Sequence, residues 1–246
     1  MASLPSKIDG FNPAKVLSGR RSWPTGSFLQ HLSRGQWLSL VHEWGREART
    51  YEHGEHLPLG SHDRTCFIIL GGCVLQERYP LGPRDVIARF RGAGQFLGEA
   101  KLIAPWSSVT TYCVGTTWVM PCSSKRANEL LRAHPQMQLA LLRSLEDRNR
   151  TDEEIYATTG RSPRARVARL LTHLADTAGT TDPTDPDRIT ISGLRQRDIS
   201  RTLQLSTSAV ENVLRHLRTD AAAIDSRYRA LVVTDPDALE RISATE

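Results

Sequence analysis

Residues 195–218 read RQRDISRTLQLSTSAVENVLRHLR, and their spacing describes two short helices joined by a tight turn. Ile199 and Leu203 fall on one face of the first helix, and Leu205 fills the turn. Val210, Val213, Leu214 and Leu217 recur at helical offsets and form an apolar stripe on the second helix. The opposite face carries Thr207, Ser208, Glu211, Asn212, Arg215 and Arg218. Ser206 or Ser208 is placed to cap that helix, and Ser208 with Glu211 fits a capping box. A helix-turn-helix presents such a polar, basic face to DNA. The same pattern also suits a surface helix pair in any α-rich domain, so its surroundings have to decide.

The following segment, AAAIDSRYRALVVTDPDAL (221–239), places Ile224 and Leu231-Val232-Val233 on two short strands around a polar tip. A hairpin there is the wing of a winged helix, with Arg227 and Arg229 in reach of phosphates. The charge distribution agrees. The chain has 246 residues and a net charge of +5. Arg161, Arg164, Arg166 and Arg169 precede the helix pair with no acid among them, and five arginines within 195–218 face only Asp198 and Glu211. The basic excess therefore surrounds the reading unit.

An apolar content of 39% and a charged content of 24% describe an ordinary globular chain. Residues 1–26, rich in Ser, Pro and Gly, are expected to form a flexible arm. The N-terminus has no continuous apolar run, so a cytoplasmic protein without membrane association is expected. Phe28 to Trp44 reads as a short helical segment. From Arg49 to about Met120, short apolar runs alternate with Gly and Pro (CFIILGGCVLQERYP, DVIARF, QFLGEA, VTTYCVGTTWVM), the texture of an antiparallel barrel or sandwich. Helical texture returns after Ser123. Pro135 to Ile155 reads as one long helix with Leu141, Leu145 and Ile155 on a seam interrupted by Arg148 and Asp152, and Pro163 stops or bends it. Arg164 to Asp176 is a further helix, and AGTTDPTDPDR reads as a surface loop.

This order of elements resembles the Crp/Fnr (cyclic-AMP receptor-like) family of bacterial transcription regulators over about residues 28–243. Three stretches carry the resemblance: YEHGEHLPLG (51–60), CFIILGGCV (66–74) and GAGQFLGEAKLIAPWSS (92–108), the last being similar to the family's phosphate-binding cassette. The resemblance implies an α+β fold. Its parts are a β-roll effector domain like a cyclic-nucleotide-binding jelly roll (27–134), a dimerisation helix (135–160) and a winged helix-turn-helix DNA-binding domain (161–246). It implies a homodimer on a pseudo-palindromic operator, with the dimer seam at Leu141, Leu145 and Ile155, and RNA polymerase as a candidate partner.

By the same resemblance, Leu97, Gly98, Glu99, Ala100, Ser107, Ser108, Val109 and Thr151 line a pocket for cyclic AMP or another small effector. Glu99 matches the glutamate that accepts from a ribose hydroxyl. The family's phosphate-binding arginine has no match, because Ser107 and Ser108 occupy its place and the following residue, and no Arg or Lys lies between Lys101 and Lys125. Charge-assisted hydrogen bonds contribute about 1.5–3 kcal/mol, so this loss weakens a phosphate's grip at least tenfold or so. The recognition helix departs as well: the family's R-E-x-x-x-R places hold Thr207, Ser208 and Asn212. Asn212 and Arg215 are expected at bases, and Thr207, Arg195, Arg227 and Arg229 at phosphates. Gln204 stands where a glycine is usual in the turn.

Other chemistry has less support. Cys66, Cys73, Cys113 and Cys122 form no C-x-x-C motif and read as reduced structural thiols, with a thiol switch left open. His31, His42, His53, His56 and His62 leave haem ligation as an alternative, and a helix-turn-helix that docks a protein is another. No P-loop, metal-spaced His/Glu motif or nucleophile elbow points to an enzyme, and Glu153-Glu154 reads as a solvated helix face.

Overall fold

The computed structural model describes residues 16, 23–80, 86–182 and 185–244, so the expected N-terminal arm lies almost entirely outside the described residues. The chain forms two compact units, 1–78 with 91–149, and 79–90 with 150–246.

In the first unit a 3₁₀ turn, Phe28–His31, leads to α1 (Arg34–Trp44), which opens on a reciprocal Ser33/Gln36 capping box. The strands are β1 (Arg49–Tyr51), β2 (Thr65–Gly71), β3 (Val74–Arg78), β4 (Ile87–Arg91, shared between the units), β5 (Phe96–Leu97), β6 (Thr110–Cys113) and β7 (Thr117–Ser123). One sheet has the order β1-β7-β2-β5, and β3 pairs antiparallel with β6 in another. The run CFIIL in β2 is continuously apolar because both of its faces are covered. Cys66, Ile68 and Leu70 point to one core with Trp37, Leu40 and Trp44, whereas Phe67 and Ile69 point to a second with Leu57, Leu59, Leu97 and Val119. The turn between β2 and β3 requires Gly72. Its φ is +82°, and a Cβ there would lie 2.6 Å from the Thr116 carbonyl oxygen. After β7 come α2 (Ser124–Ala133) and the long α3 (Pro135–Tyr156).

The second unit holds α4 (Pro163–Ala178), β8 (Thr180–Asp182), β9 (Asp185–Ser192), α5 (Gln196–Leu203), α6 (Thr207–Thr219), β10 (Ile224–Arg227), β11 (Ala230–Val233) and α7 (Pro236–Ala244). Pro163 opens α4 as its first residue behind the Ser162 cap, where a missing N–H is harmless, and α3 has already ended at Tyr156. The segment expected to be a loop, AGTTDPTDPDR, instead contains β8 and the start of β9. The wing is thus half of a four-stranded sheet, β10-β11-β9-β8. Among the described residues no helix is long and apolar enough to cross a membrane.

Candidate nucleic-acid interface and effector pocket

The helix-turn-helix forms as its spacing predicts. Ile199 and Leu203 of α5 and Val210, Val213, Leu214 and Leu217 of α6 are buried. Gln204 takes the left-handed conformation, φ +52°, and the Leu205 N–H donates to the Ser200 carbonyl at 3.0 Å. From α4, the buried Arg166 donates through Nη2 to the Leu203 carbonyl, closing the end of α5. The cap of α6 is Ser206, whose Oγ accepts from the Ala209 N–H at 3.2 Å. The expected Ser208/Glu211 capping box is not made: Ser208 lies inside the helix, and Glu211 pairs with Arg215 at 3.2 Å.

Thr207, Ser208, Glu211, Asn212, Arg215 and Arg218 are all exposed on one side of α6. Arg215 is held between the Glu211 carboxylate and Asn212 Oδ1, each at 3.2 Å. Both contacts are solvent-exposed and are worth a few tenths of a kcal/mol, so a base edge or phosphate displaces them easily. Beside this face lies a groove of about 520 Å³ between α6 and the wing. It is lined by Arg195, Arg197, Arg218, Arg227 and Arg229, together with Thr207, and among the described residues no carboxylate lines it. The structure therefore brings Arg195, Thr207, Arg227 and Arg229 to one concavity next to Asn212 and Arg215, although they lie far apart in sequence.

The cassette is built on β5 and the 3₁₀ turn Glu99–Leu102. Gly98 has φ +83°, and its carbonyl accepts from the Cys66 thiol. Leu97 is fully buried, and Ala100 is half-buried. Glu99 is not vacant: Arg148 of α3 donates from Nη2 to its Oε1 at 2.5 Å. Burial alone pushes the Glu99 carboxyl up, but the charge and hydrogen bond of Arg148, with its own backbone N–H and the charge of Arg91, hold it below the usual carboxylate range. Lys101 also turns inward. Its Nζ donates to the Gly60 carbonyl at 2.6 Å and the Ser107 carbonyl at 2.9 Å, so it staples the loop that carries Ser107. Burial lowers its pKa. Ser107 and Val109 are half-buried and Ser108 is exposed, while Thr151, on α3, is half-buried. The pairing of Arg148 with Glu99 is not legible in the sequence, because nothing local links partners 49 positions apart.

The seam residues point inward. Leu141 is buried in the first unit's core with Met137 and Ala140, Leu145 packs against the same core, and Ile155 is buried. The large apolar residues that α3 exposes are Leu139 and Leu142. All four cysteines are buried free thiols. Burial pushes the Cys113 thiol up to about 11, and a hydrogen bond with Cys66, its cross-strand neighbour, joins burial in raising Cys122. Such thiols react slowly at neutral pH. His31 is tied to Asp147 at 2.8 Å and His53 to the Val114 carbonyl.

Residues 165–242 match the Crp-like helix-turn-helix domain family. The chain is similar to the cAMP-activated global transcriptional regulator CRP of Haemophilus influenzae, with 25% identity over 181 residues, 71% of this chain and 77% of that protein. Two CRP/FNR-type regulators of Thermus thermophilus share the fold. One, a transcriptional regulator of the CRP family, superposes with a TM-score of 0.64 at 23% identity, covering 80% of this chain and 97% of its own. The other, of the CRP/FNR family, superposes with a TM-score of 0.59 at 18% identity, covering 80% and 98%.

Proposed function

This chain being a transcription regulator of the Crp/Fnr family with a Crp-like helix-turn-helix, we propose that it acts as a cytoplasmic homodimer on a pseudo-palindromic operator. Asn212 and Arg215 read base edges, and the arginine-lined groove seats the phosphate backbone. The observation that carries this reading is the continuity of the exposed α6 face with a concavity whose charged lining is entirely cationic. Dimerisation along α3 uses Leu139 and Leu142, which the single chain leaves exposed. Two recognition helices then lie about one DNA turn apart.

The cassette is degenerate toward cyclic nucleotides. A ribose hydroxyl has to compete with Arg148 for Glu99, the loop carrying Ser107 and Ser108 contains no Arg or Lys of its own, and Lys101 is bonded to carbonyls. In-vitro selection from random DNA, run with and without cyclic AMP, tests both halves. A palindrome enriched equally in both arms is expected. Enrichment only with cyclic AMP overturns the degenerate pocket, and no enrichment in either arm overturns the DNA-binding reading.

A further inference from the structure

We infer that Thr207 is a phosphorylation site, and that its phosphate, gripped by the arginines of the groove beside α6, takes the place of a DNA phosphate and releases the operator. The inference rests on the reading of α6 and the groove as the DNA interface.

Three hydroxyls, Ser206, Thr207 and Ser208, stand in a row where α6 begins, and the fold uses two of them. Ser206 Oγ accepts from the Ala209 N–H, and Ser208 Oγ lies 3.1 Å from Ser206 Oγ. The Thr207 side chain is exposed, and its hydroxyl has no hydrogen-bond partner among the described residues. It is also the one of the three that lines the groove, with Arg195, Arg197, Arg218, Arg227 and Arg229. The other hydroxyl of that lining is Ser226. Its backbone N–H donates to the Asp225 carboxylate at 2.7 Å, so a phosphate on Ser226 would meet like charge next door. Thr207 is therefore the position where a phosphate gains cations and meets no neighbouring carboxylate of the lining.

A phosphothreonine carries a charge of about −1.5 to −2 and three strong acceptor oxygens. Each bond it makes to a guanidinium is charge-assisted. Because the phosphate is tethered, it competes with DNA at a high effective concentration. It occupies guanidiniums that the DNA backbone needs, and its charge repels that backbone. In the transfer step the Thr207 hydroxyl oxygen bonds to the γ-phosphorus of ATP held by a Ser/Thr protein kinase. The bond from that phosphorus to the β,γ-bridging oxygen breaks, ADP leaves with the electron pair, and the hydroxyl proton passes to the kinase's carboxylate base. A phosphatase, using water as nucleophile, hydrolyses the ester and restores the hydroxyl.

The test uses full-length protein with phosphothreonine incorporated at Thr207 during translation. Affinity for the selected operator is expected to fall about a hundredfold, and the log–log salt slope to shrink by about one to two as groove arginines are neutralised. The urea midpoint should rise by about 0.5 M, because the phosphate ties α6 to Arg195 ahead of α5 and to Arg227 of β10. In Arg195→Gln with Arg227→Gln, the same phosphate should raise the midpoint about half as much or less. Extract of the cells that naturally make the protein, supplied with ATP labelled on its γ-phosphate, should label the parent protein on Thr207, located by mass-spectrometric fragmentation, and leave that position of Thr207→Val unlabelled. Operator affinity within about threefold of the unphosphorylated protein, a lowered midpoint, or a rise undiminished by loss of the two arginines overturns the switch. Absence of label on Thr207 overturns its assignment as a modification site. Each of these leaves the α6 reading standing, whereas an unphosphorylated parent without any sequence preference overturns both.

Discussion

Arg148→Met isolates the pair that fills the cassette. Its guanidinium is 13% exposed and the Glu99 carboxylate 15%. Removing one member of a fully buried ion pair costs about 3–5 kcal/mol, because the other charge is left unpaired; residual solvent contact reduces this to about 2–3 kcal/mol here. Glu99→Gln with Arg148→Met removes both charges and should recover all but about 1 kcal/mol. The pH dependence follows from the same contacts. In the parent protein the folded Glu99 pKa is depressed, so the pair's stabilisation is fully present above the unfolded carboxylate pKa and fades as pH falls through the folded value. Without Arg148, burial is opposed only by the more modest backbone and Arg91 contributions, and the carboxyl pKa moves up. The deficit of Arg148→Met is then largest near neutrality and shrinks toward mild acid, where Glu99 takes up a proton. Urea unfolding followed by tryptophan fluorescence measures this cleanly, because Trp23, Trp37, Trp44, Trp106 and Trp118 all lie in the first unit, with Glu99 and Arg148. A deficit below about 0.5 kcal/mol, or one that grows as pH falls, refutes the reasoning.

Three further outcomes are expected. Ser206→Ala, which removes the α6 cap, should destabilise the second unit by about 1 kcal/mol, whereas Ser208→Ala should stay within about 0.5 kcal/mol; circular-dichroism melting distinguishes them. Gln204→Gly should stabilise the helix-turn-helix by about 1 kcal/mol by relieving the left-handed strain, read as a raised urea midpoint. Gly179→Ala should be severely destabilising, since its Cβ would lie 2.2 Å from the Ala175 carbonyl oxygen and 2.3 Å from Ile189 Cγ2; a soluble variant melting at the parent temperature would contradict this packing.

Several of these features were legible in the chain and others were not, for reasons that can be located. The helix-turn-helix is visible because its apolar stripe is local and each stripe residue packs as spacing demands. β2 is visible because a strand covered on both faces reads as a continuous apolar run. β8 and β9 were hidden by the Asp and Pro residues of TTDPTDPDR, although Ile189 and Ile191 alternate in a way that signals a half-covered strand. α7, with Leu239 buried behind a Pro at its start, carried an overlooked helix-start signal. On α3, periodicity finds an apolar face at Leu141 and Leu145 but does not say what covers it: the answer is the chain's own core, which leaves Leu139 and Leu142 outside. The capping box on α6 failed because Ser206 and Ser208 are both good caps and only the backbone chooses between them. The Glu99–Arg148 pair and the inward turn of Lys101 are products of tertiary packing, and no local signal announces them.

The most direct test of the account is the base-preference profile of Asn212→Ala with Arg215→Ala, measured by the same random-DNA selection as the parent protein, with dimerisation checked by sedimentation. The account predicts a palindrome with half-sites about one turn apart for the parent, and its loss in a double variant that is still dimeric and still binds DNA in a salt-dependent manner. An unchanged palindrome in the double variant would contradict the claim that α6 reads the operator.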